Sequence, residues 1–362
     1  MRDLTQVIQK LIDKNTFTQK ESVEIMEFIL SGKASDAELA AFLTAMRVKG
    51  EDQTELLGFI QAIRKHAVKV KSIPGRLLDV CGTGGTLMDT FNISTLSAFV
   101  AAAAGVRIAK QVYSDPEYGC SSLQLLARLG IPINISPEHS LKLLEKTGLT
   151  FLYLPLFHPR LAQMVRVSRQ IGIRNLSYTL FPLINPLRLY GQVIGVFNEK
   201  MTTLLSSVLR AQGLKRAYVV HGVEGLDEIS VSAATRISEL KDGIINTSLF
   251  NPEQLGLTPE SVSGLQCANV TDSAQICKVI LSGREESART DTVALNAAAA
   301  IVAAGLAPDL AMAFQKAKNI IASGLAWQKL ERLVEAAQSS KLKQKRTASR
   351  SKVFKKKRKS RK

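Results

Sequence analysis

Cysteine is scarce. Cys81, Cys120, Cys267 and Cys277 are the four in 362 residues, widely spaced and without a Cys-x-x-Cys pair. That spacing argues against a disulfide scaffold and a structural zinc site, and fits reduced thiols in a cytoplasm. Long apolar runs are missing too: runs such as Ala98 to Ala104 are far too short to span a bilayer, so no membrane role is expected. The opening residues, MRDLTQVIQKLIDK, are amphipathic and include acids, unlike a secretory signal. No internal repeat is visible. Acidic residues are absent from one long stretch, Lys341 to Lys362, which holds thirteen Lys and Arg. Of the net charge of +17, only +4 therefore belongs to residues 1–340. With 46% hydrophobic and 22% charged residues, the body has the composition of an ordinary soluble globular protein. The strong positive field belongs to the tail.

What is present divides the chain in three. Residues 1–73 read as helical. Thr18-Gln19-Lys20-Glu21 and Ser35-Asp36-Ala37-Glu38 both match the capping box, in which hydroxyl and glutamate satisfy each other's orphan N–H groups. Leu39, Phe42, Leu43 and Met46 then recur at helical spacing, and a further helix from about Gln53 carries Leu56, Leu57, Ile60 and Ile63. These helices are expected to form a small bundle, completed by a later segment of the chain.

After Pro74-Gly75, residues 74–338 alternate strand-like and helix-like runs. Strands are expected near 77–81, 106–110, 151–154, 193–197 and 217–220, with helices near 94–104, 121–129, 137–147, 160–171 and 200–211. That rhythm predicts an α/β domain with a mainly parallel central sheet covered on both faces. Ser136-Pro137-Glu138, Asn251-Pro252-Glu253 and Thr258-Pro259-Glu260 all have the grammar of a helix start. The stretches 293–304 and 309–336 read as closing helices. Residues 339–362 are low-complexity and self-repelling, and are expected to be disordered when free. Such a tail can be a solubilising extension or a sequence-independent polyanion binder, and its end, Lys355 to Arg358, also fits a nuclear import signal.

Three places could carry chemistry. From Asp79 to Thr95 a strand-like run passes through Gly82-Thr83-Gly84-Gly85 to Asn92-Ile93-Ser94-Thr95, where an Ala-rich helix should begin. Glycines admit close backbone approach and a helix N-terminus favours negative charge, so this is either a phosphate cradle or a plain tight turn. Val219-Val220-His221-Gly222 leads into Gly225-Leu226-Asp227-Glu228. A strand end feeding an acidic pair suits magnesium, which takes one or two carboxylates with phosphate and water; an acidic helix start is the alternative. His158 and Arg174 form the third constellation, Arg174 because a guanidinium suits a substrate carboxylate or else a surface salt bridge.

Together GTGG with TFNIST, VHGVEGLDEIS and IGIR with FPLINP resemble the anthranilate phosphoribosyltransferase family, and the likeness spans about residues 1–337. The resemblance implies a helical domain beside an α/β domain, a homodimer, and transfer of phosphoribosyl from phosphoribosyl pyrophosphate (PRPP) to the amine of anthranilate in tryptophan synthesis. It implies that Gly82, Thr83, Gly84, Gly85, Asn92, Ser94, Thr95 and Lys110 bind PRPP. Ser94, Asp227 and Glu228 would hold magnesium, and His158 and Arg174 would face the aromatic amine acceptor. No side-chain nucleophile is implied.

The chain departs from the family pattern around the acceptor. Where the family follows its lysine with His-Gly-Asn-Arg, this chain reads Gln111-Val112-Tyr113-Ser114, then brings Asp115, Glu117 and Tyr118 into the same loop. The residue after GTGG is Thr86, and Ser177-Tyr178 and Leu180-Phe181-Pro182 replace Phe-Asn and Leu-Gly-Pro. Two readings follow: a magnesium-dependent phosphoribosyltransferase, or a paralogue that keeps the fold and binds nucleic acid through Lys341–Lys362. A nucleoside phosphorylase shares the architecture, but NIST with GLDE argues against it.

Overall fold

A computed structural model of the chain describes residues 3–84, 90–113 and 121–339. Gly85, Thr86, the loop residues Ser114 to Cys120 and the basic tail lie outside the described residues.

Four helices come first: α1 (Thr5–Ile12), α2 (Gln19–Leu30), α3 (Asp36–Lys49) and α4 (Gln53–Lys65). Both expected capping boxes form, at Thr18 with Glu21 and at Ser35 with Glu38. Asp52 and Glu55 make a third, at the start of α4. Leu39, Phe42, Leu43 and Met46 are all buried, as their spacing predicts. Glu55 is buried as well, and its carboxylate accepts from the Phe17 N–H at 3.1 Å and from Lys49 Nζ at 2.7 Å. Buried charge of this kind is tolerated because it is both paired and hydrogen-bonded.

The alternating region runs β1 (Leu77–Gly82), α5 (Ile93–Ala103), β2 (Arg107–Val112), α6 (Ser122–Arg128), α7 (Pro137–Thr147) and β3 (Leu149–Tyr153). The short α8 (Leu154–Phe157), α9 (Ala162–Ile171) and α10 (Leu176–Leu180) follow, then β4 (Gly191–Gly195), α11 (Lys200–Ala211) and β5 (Arg216–Gly222). Next come β6 (Thr235–Lys241), β7 (Ile244–Phe250), α12 (Val270–Leu281), α13 (Ala288–Ala303) and α14 (Leu310–Ala322), and residues 325–339 are again helical.

The strands form one seven-stranded sheet in the order β3-β2-β1-β4-β5-β6-β7. The first five in that order are parallel, and β6 and β7 are added antiparallel. Five of the strands match the sequence expectation; the β6–β7 hairpin does not appear in it. Two expected helix starts are also corrected. Asn251-Pro252-Glu253 opens only a 3-10 turn, Pro252–Leu255, which Gly256 ends with a left-handed φ of 73°. Thr258-Pro259-Glu260 opens nothing, because the next helical residues begin at Val262. The single stretch expected over 309–336 is broken at Ser323-Gly324, where Gly324 has a φ of 70°.

Strand residues point alternately to two faces, and each face has its own core. Leu78, Val80, Ile108, Val193 and Val220 pack with α5 and α12 to α14. Leu77, Cys81, Ala109, Leu152, Ile194 and Val219 pack with the N-terminal helices and with α8 to α11. The N-terminal helices therefore share one continuous core with the sheet. Residues after β3 also reach them: Gln163 Nε2 donates to the Ala34 carbonyl at 2.7 Å, and Thr179 Oγ1 donates to Glu51 at 3.2 Å.

Candidate active site

The sheet changes direction of winding at β1. From there the chain steps outward through β2 to β3, then returns to β4 on the other side. In open α/β sheets the crevice beyond the carboxyl ends of the strands at such a switch point is where ligands bind. Gly82 ends β1 and Gly195 ends β4, paired in register. The glycine turn is fastened to this point, since the Thr83 N–H donates to the Gly195 carbonyl at 2.8 Å. Gly84 takes a φ of 69°, open to glycine without strain, and its N–H donates to Asp227 Oδ2 at 3.1 Å. Tyr113 donates its hydroxyl to the Thr83 carbonyl at 2.7 Å, and its ring stands edge-on to Phe181, centroids 5.1 Å apart.

Asp227 and Glu228 lie in the loop from β5 to β6, so the alternative of an acidic helix start does not hold. Both are buried, at 9% and 8% exposure. Burial pushes both carboxyls above their ordinary range, and for Glu228 the neighbouring Asp227 charge pushes further; Lys110 and a hydrogen bond from the Ser94 N–H oppose this. The loop is held from behind by α13. Asn296 Oδ1 accepts from the Ile229 N–H at 2.8 Å, and Asn296 Nδ2 donates to the Ile229 carbonyl at 2.9 Å. Gly195 lets the loop pass: a Cβ there would sit 1.5 Å from the Asp227 carbonyl oxygen.

Lys110, near the end of β2, is 3% exposed. Its ammonium donates to the Val80 carbonyl and, at 3.1 Å, to Ser94 Oγ. Asp79 lies within its field. Burial drives the Asp79 carboxyl up to about 6 against the pull of Lys110, and Asp79 accepts from Asn185 Nδ2 at 2.9 Å and from the Gln111 N–H at 3.2 Å. Asn92 caps α5 by position but spends its Oδ1 on Ser273 Oγ at 2.9 Å. Thr95 and Thr83 are fully buried, each with a hydroxyl lacking a partner among the described residues.

The sequence-predicted PRPP and magnesium residues within the described chain thus converge on one crevice; Gly85 lies outside the described residues. The two acceptor residues have separate partners. His158 is 2% exposed, follows α8 and uses Nε2 on the Ile184 carbonyl at 2.9 Å. Burial lowers its imidazole to about 4, and Arg64 adds to this. Arg174 is half-buried over the ring of Phe197, its guanidinium carbon 4.8 Å from the centroid, and its charge reaches Asp227. Sequence reasoning placed Asp79 at the head of the cradle stretch without a role of its own, and missed Gly195 and Asn296. Only Gly195, small at an apolar strand end, leaves a sequence signal of close backbone approach.

Among the described residues no group of three or more His, Cys, Asp or Glu is placed to hold a metal. Asp227 and Glu228 form a pair, which suits a cation whose other ligands come from a phosphorylated substrate and water.

Comparison with known proteins agrees with this geometry. The family model described as glycosyl transferase family, a/b domain matches residues 74–327, and that of the helical bundle domain matches residues 5–67. The anthranilate phosphoribosyltransferase of Desulfosudis oleivorans is 39% identical over 339 residues, covering 93% of this chain and 99% of that protein. The Moorella thermoacetica enzyme of the same name is 39% identical over 332 residues, covering 92% and 98%. Among solved structures, the Thermus thermophilus anthranilate phosphoribosyltransferase superposes with a TM-score of 0.85 at 31% identity, covering 91% of this chain and 99% of that one. The Saccharomyces cerevisiae enzyme, solved with PRPP and Mg, shares the fold at a TM-score of 0.84 and 23% identity, covering 93% and 98%.

Proposed function

Because this chain belongs to the anthranilate phosphoribosyltransferase family of glycosyl transferases, we propose that it transfers the phosphoribosyl group of PRPP to the amine of anthranilate or a close aromatic relative. The observation that carries the proposal is the joining of glycine turn and acidic pair, through the Gly84 N–H on Asp227 Oδ2 at 3.1 Å.

The residues divide the work by charge. Gly82, Thr83, Gly84 and Gly85 offer backbone to the pyrophosphate, with Asn92 and Thr95 completing its site. Lys110 brings a buried positive charge to the same end of the crevice. In the transfer, the amine nitrogen bonds to ribose C1 as the C1–oxygen bond to pyrophosphate breaks, and one amine proton is released. Negative charge grows on the departing pyrophosphate, and donors already in place stabilise it without reorganising. Ser94, Asp227 and Glu228 suit magnesium, which when bound would neutralise pyrophosphate charge. Two adjacent buried carboxyls, both pushed up by burial despite the cations nearby, are a site of the kind a divalent cation fills. Arg174 and His158 face the acceptor, Arg174 as partner for its carboxylate. No side-chain nucleophile takes part; positioning supplies the rest.

The test is calorimetric titration with PRPP and magnesium, followed by a fluorescence assay for anthranilate consumption. Wild-type protein should bind PRPP only with magnesium and then consume anthranilate, and Asp227→Ala with Glu228→Ala should abolish both. Absence of turnover at any acceptor concentration would sink the transferase reading.

A further inference from the structure

Phe197 follows the end of β4 by two residues and is half-buried. Two guanidinium groups share its ring: Arg174 at 4.8 Å and Arg47 at 5.0 Å from the centroid. They come from separate parts of the chain. Arg47 belongs to the last turn of α3, in the helical domain, and Arg174 to the loop before α10. The two cations therefore lie no farther apart than those two distances laid end to end.

Arg174 interacts with the charge of Asp227. Arg47 differs: among the described residues it makes no hydrogen bond and no ion pair, and its guanidinium meets only the Phe197 ring. A half-buried guanidinium without an anion, brought beside a second guanidinium, is an arrangement that Coulomb repulsion opposes. An aromatic face offsets part of that cost, and a bound anion would offset more. The ring adds a second constraint, since a planar apolar surface beside two planar cations suits a flat aromatic anion better than a hydrated phosphate.

Resting on the acceptor reading given above, we propose that Arg47 is a second acceptor-binding residue, sharing the carboxylate of an aromatic acceptor with Arg174 beside Phe197. Acceptor recognition then draws on the helical domain as well as the α/β domain.

The experiment uses the full chain and its Arg47→Met and Arg47→Gln variants, the second in case the first fails to fold. Three probes are compared: anthranilate, 2-aminobenzamide (same ring and amine, no charge) and PRPP with magnesium. Loss of one charge-assisted contact should raise KM for anthranilate roughly 10- to 100-fold. Handling of 2-aminobenzamide and PRPP affinity should not change. An unchanged anthranilate KM overturns the proposal, and so does a matching loss of PRPP affinity, which would place Arg47 on phosphate. Benzoate binding by NMR separates this proposal from the transferase reading. If the wild type catalyses nothing yet binds benzoate and the variants do not, the transferase reading falls and the Arg47 assignment stands. Equal benzoate binding by wild type and variants, or none by either, overturns it.

Discussion

Replacing Gly195 by alanine adds one carbon where there is no room for it. The new Cβ would stand 1.5 Å from the Asp227 carbonyl oxygen and 2.4 Å from its carbon. Both are backbone atoms, so no side chain can swing aside. Ordinary contact begins at 3.4 Å, so strand and loop must separate by about 2 Å. The strand is the less able to move. It is central in the sheet, buried along its length, and its end holds Thr83 through a 2.8 Å hydrogen bond. The loop therefore shifts, and a displacement of that size breaks the 3.1 Å contact between the Gly84 N–H and Asp227. Overpacking of this kind costs about 1–3 kcal/mol of stability. Misplacing a ligand-binding carboxylate by more than 1 Å lowers kcat/KM on the order of 100-fold. Urea unfolding reads the first effect; PRPP titration with magnesium and steady-state rates read the second. Gly148→Ala is the matched control, because nothing lies within 4 Å of its added Cβ although its φ is +74°. It should cost about 1–2 kcal/mol from left-handed strain and leave kcat/KM untouched. A Gly195→Ala protein with wild-type PRPP affinity and turnover would refute the claim that this glycine positions the acidic pair.

Two further outcomes are expected. His158 is held neutral at about 4 by burial, while the unfolded chain takes up that proton near 6.5. Stability present above pH 6.5 is therefore lost as pH falls toward 4, by about 2 kcal/mol at pH 5. His158→Gln should lack this increment in unfolding free energies compared between pH 7 and pH 5; equal changes in both proteins would refute it. Deleting Lys341–Lys362 removes thirteen positive charges. If the tail binds polyanions, the log–log salt dependence of duplex DNA binding should flatten by several units, with transferase rates unaffected. An unchanged slope would show that the tail plays no part.

Legibility in the sequence followed burial. The five parallel strands are short apolar runs between helices, and both faces are covered, so composition alone marks them. β7 escaped because Ile244 and Leu249 are 64% and 55% exposed on the sheet edge, without clean alternation. Its turn did carry a signal. Asp242-Gly243 takes positive φ at both residues, 49° and 91°, as a two-residue hairpin turn requires. At the site, the glycine turn, Lys110 and the acidic pair were legible as residue types at fixed spacing. The role of Asp79 was hidden because an acid inside an apolar strand looks the same whether it is satisfied by Asn185 or left exposed. Arg47 was hidden because its meaning depends on Phe197, 150 positions later, which only the folded sheet brings beside it.

The grip of Asn296 on Ile229 has a consequence for synthesis. The glycine turn leaves the ribosome early and the acidic pair follows after β5, yet the helix that fixes the pair is among the last elements made. A nascent chain ending at β7 would hold every residue assigned to the pyrophosphate but not the Asn296 clamp on Ile229, next to the acidic pair. The loop that carries the acidic pair therefore gains its last fastening only when α13 docks, near the end of synthesis.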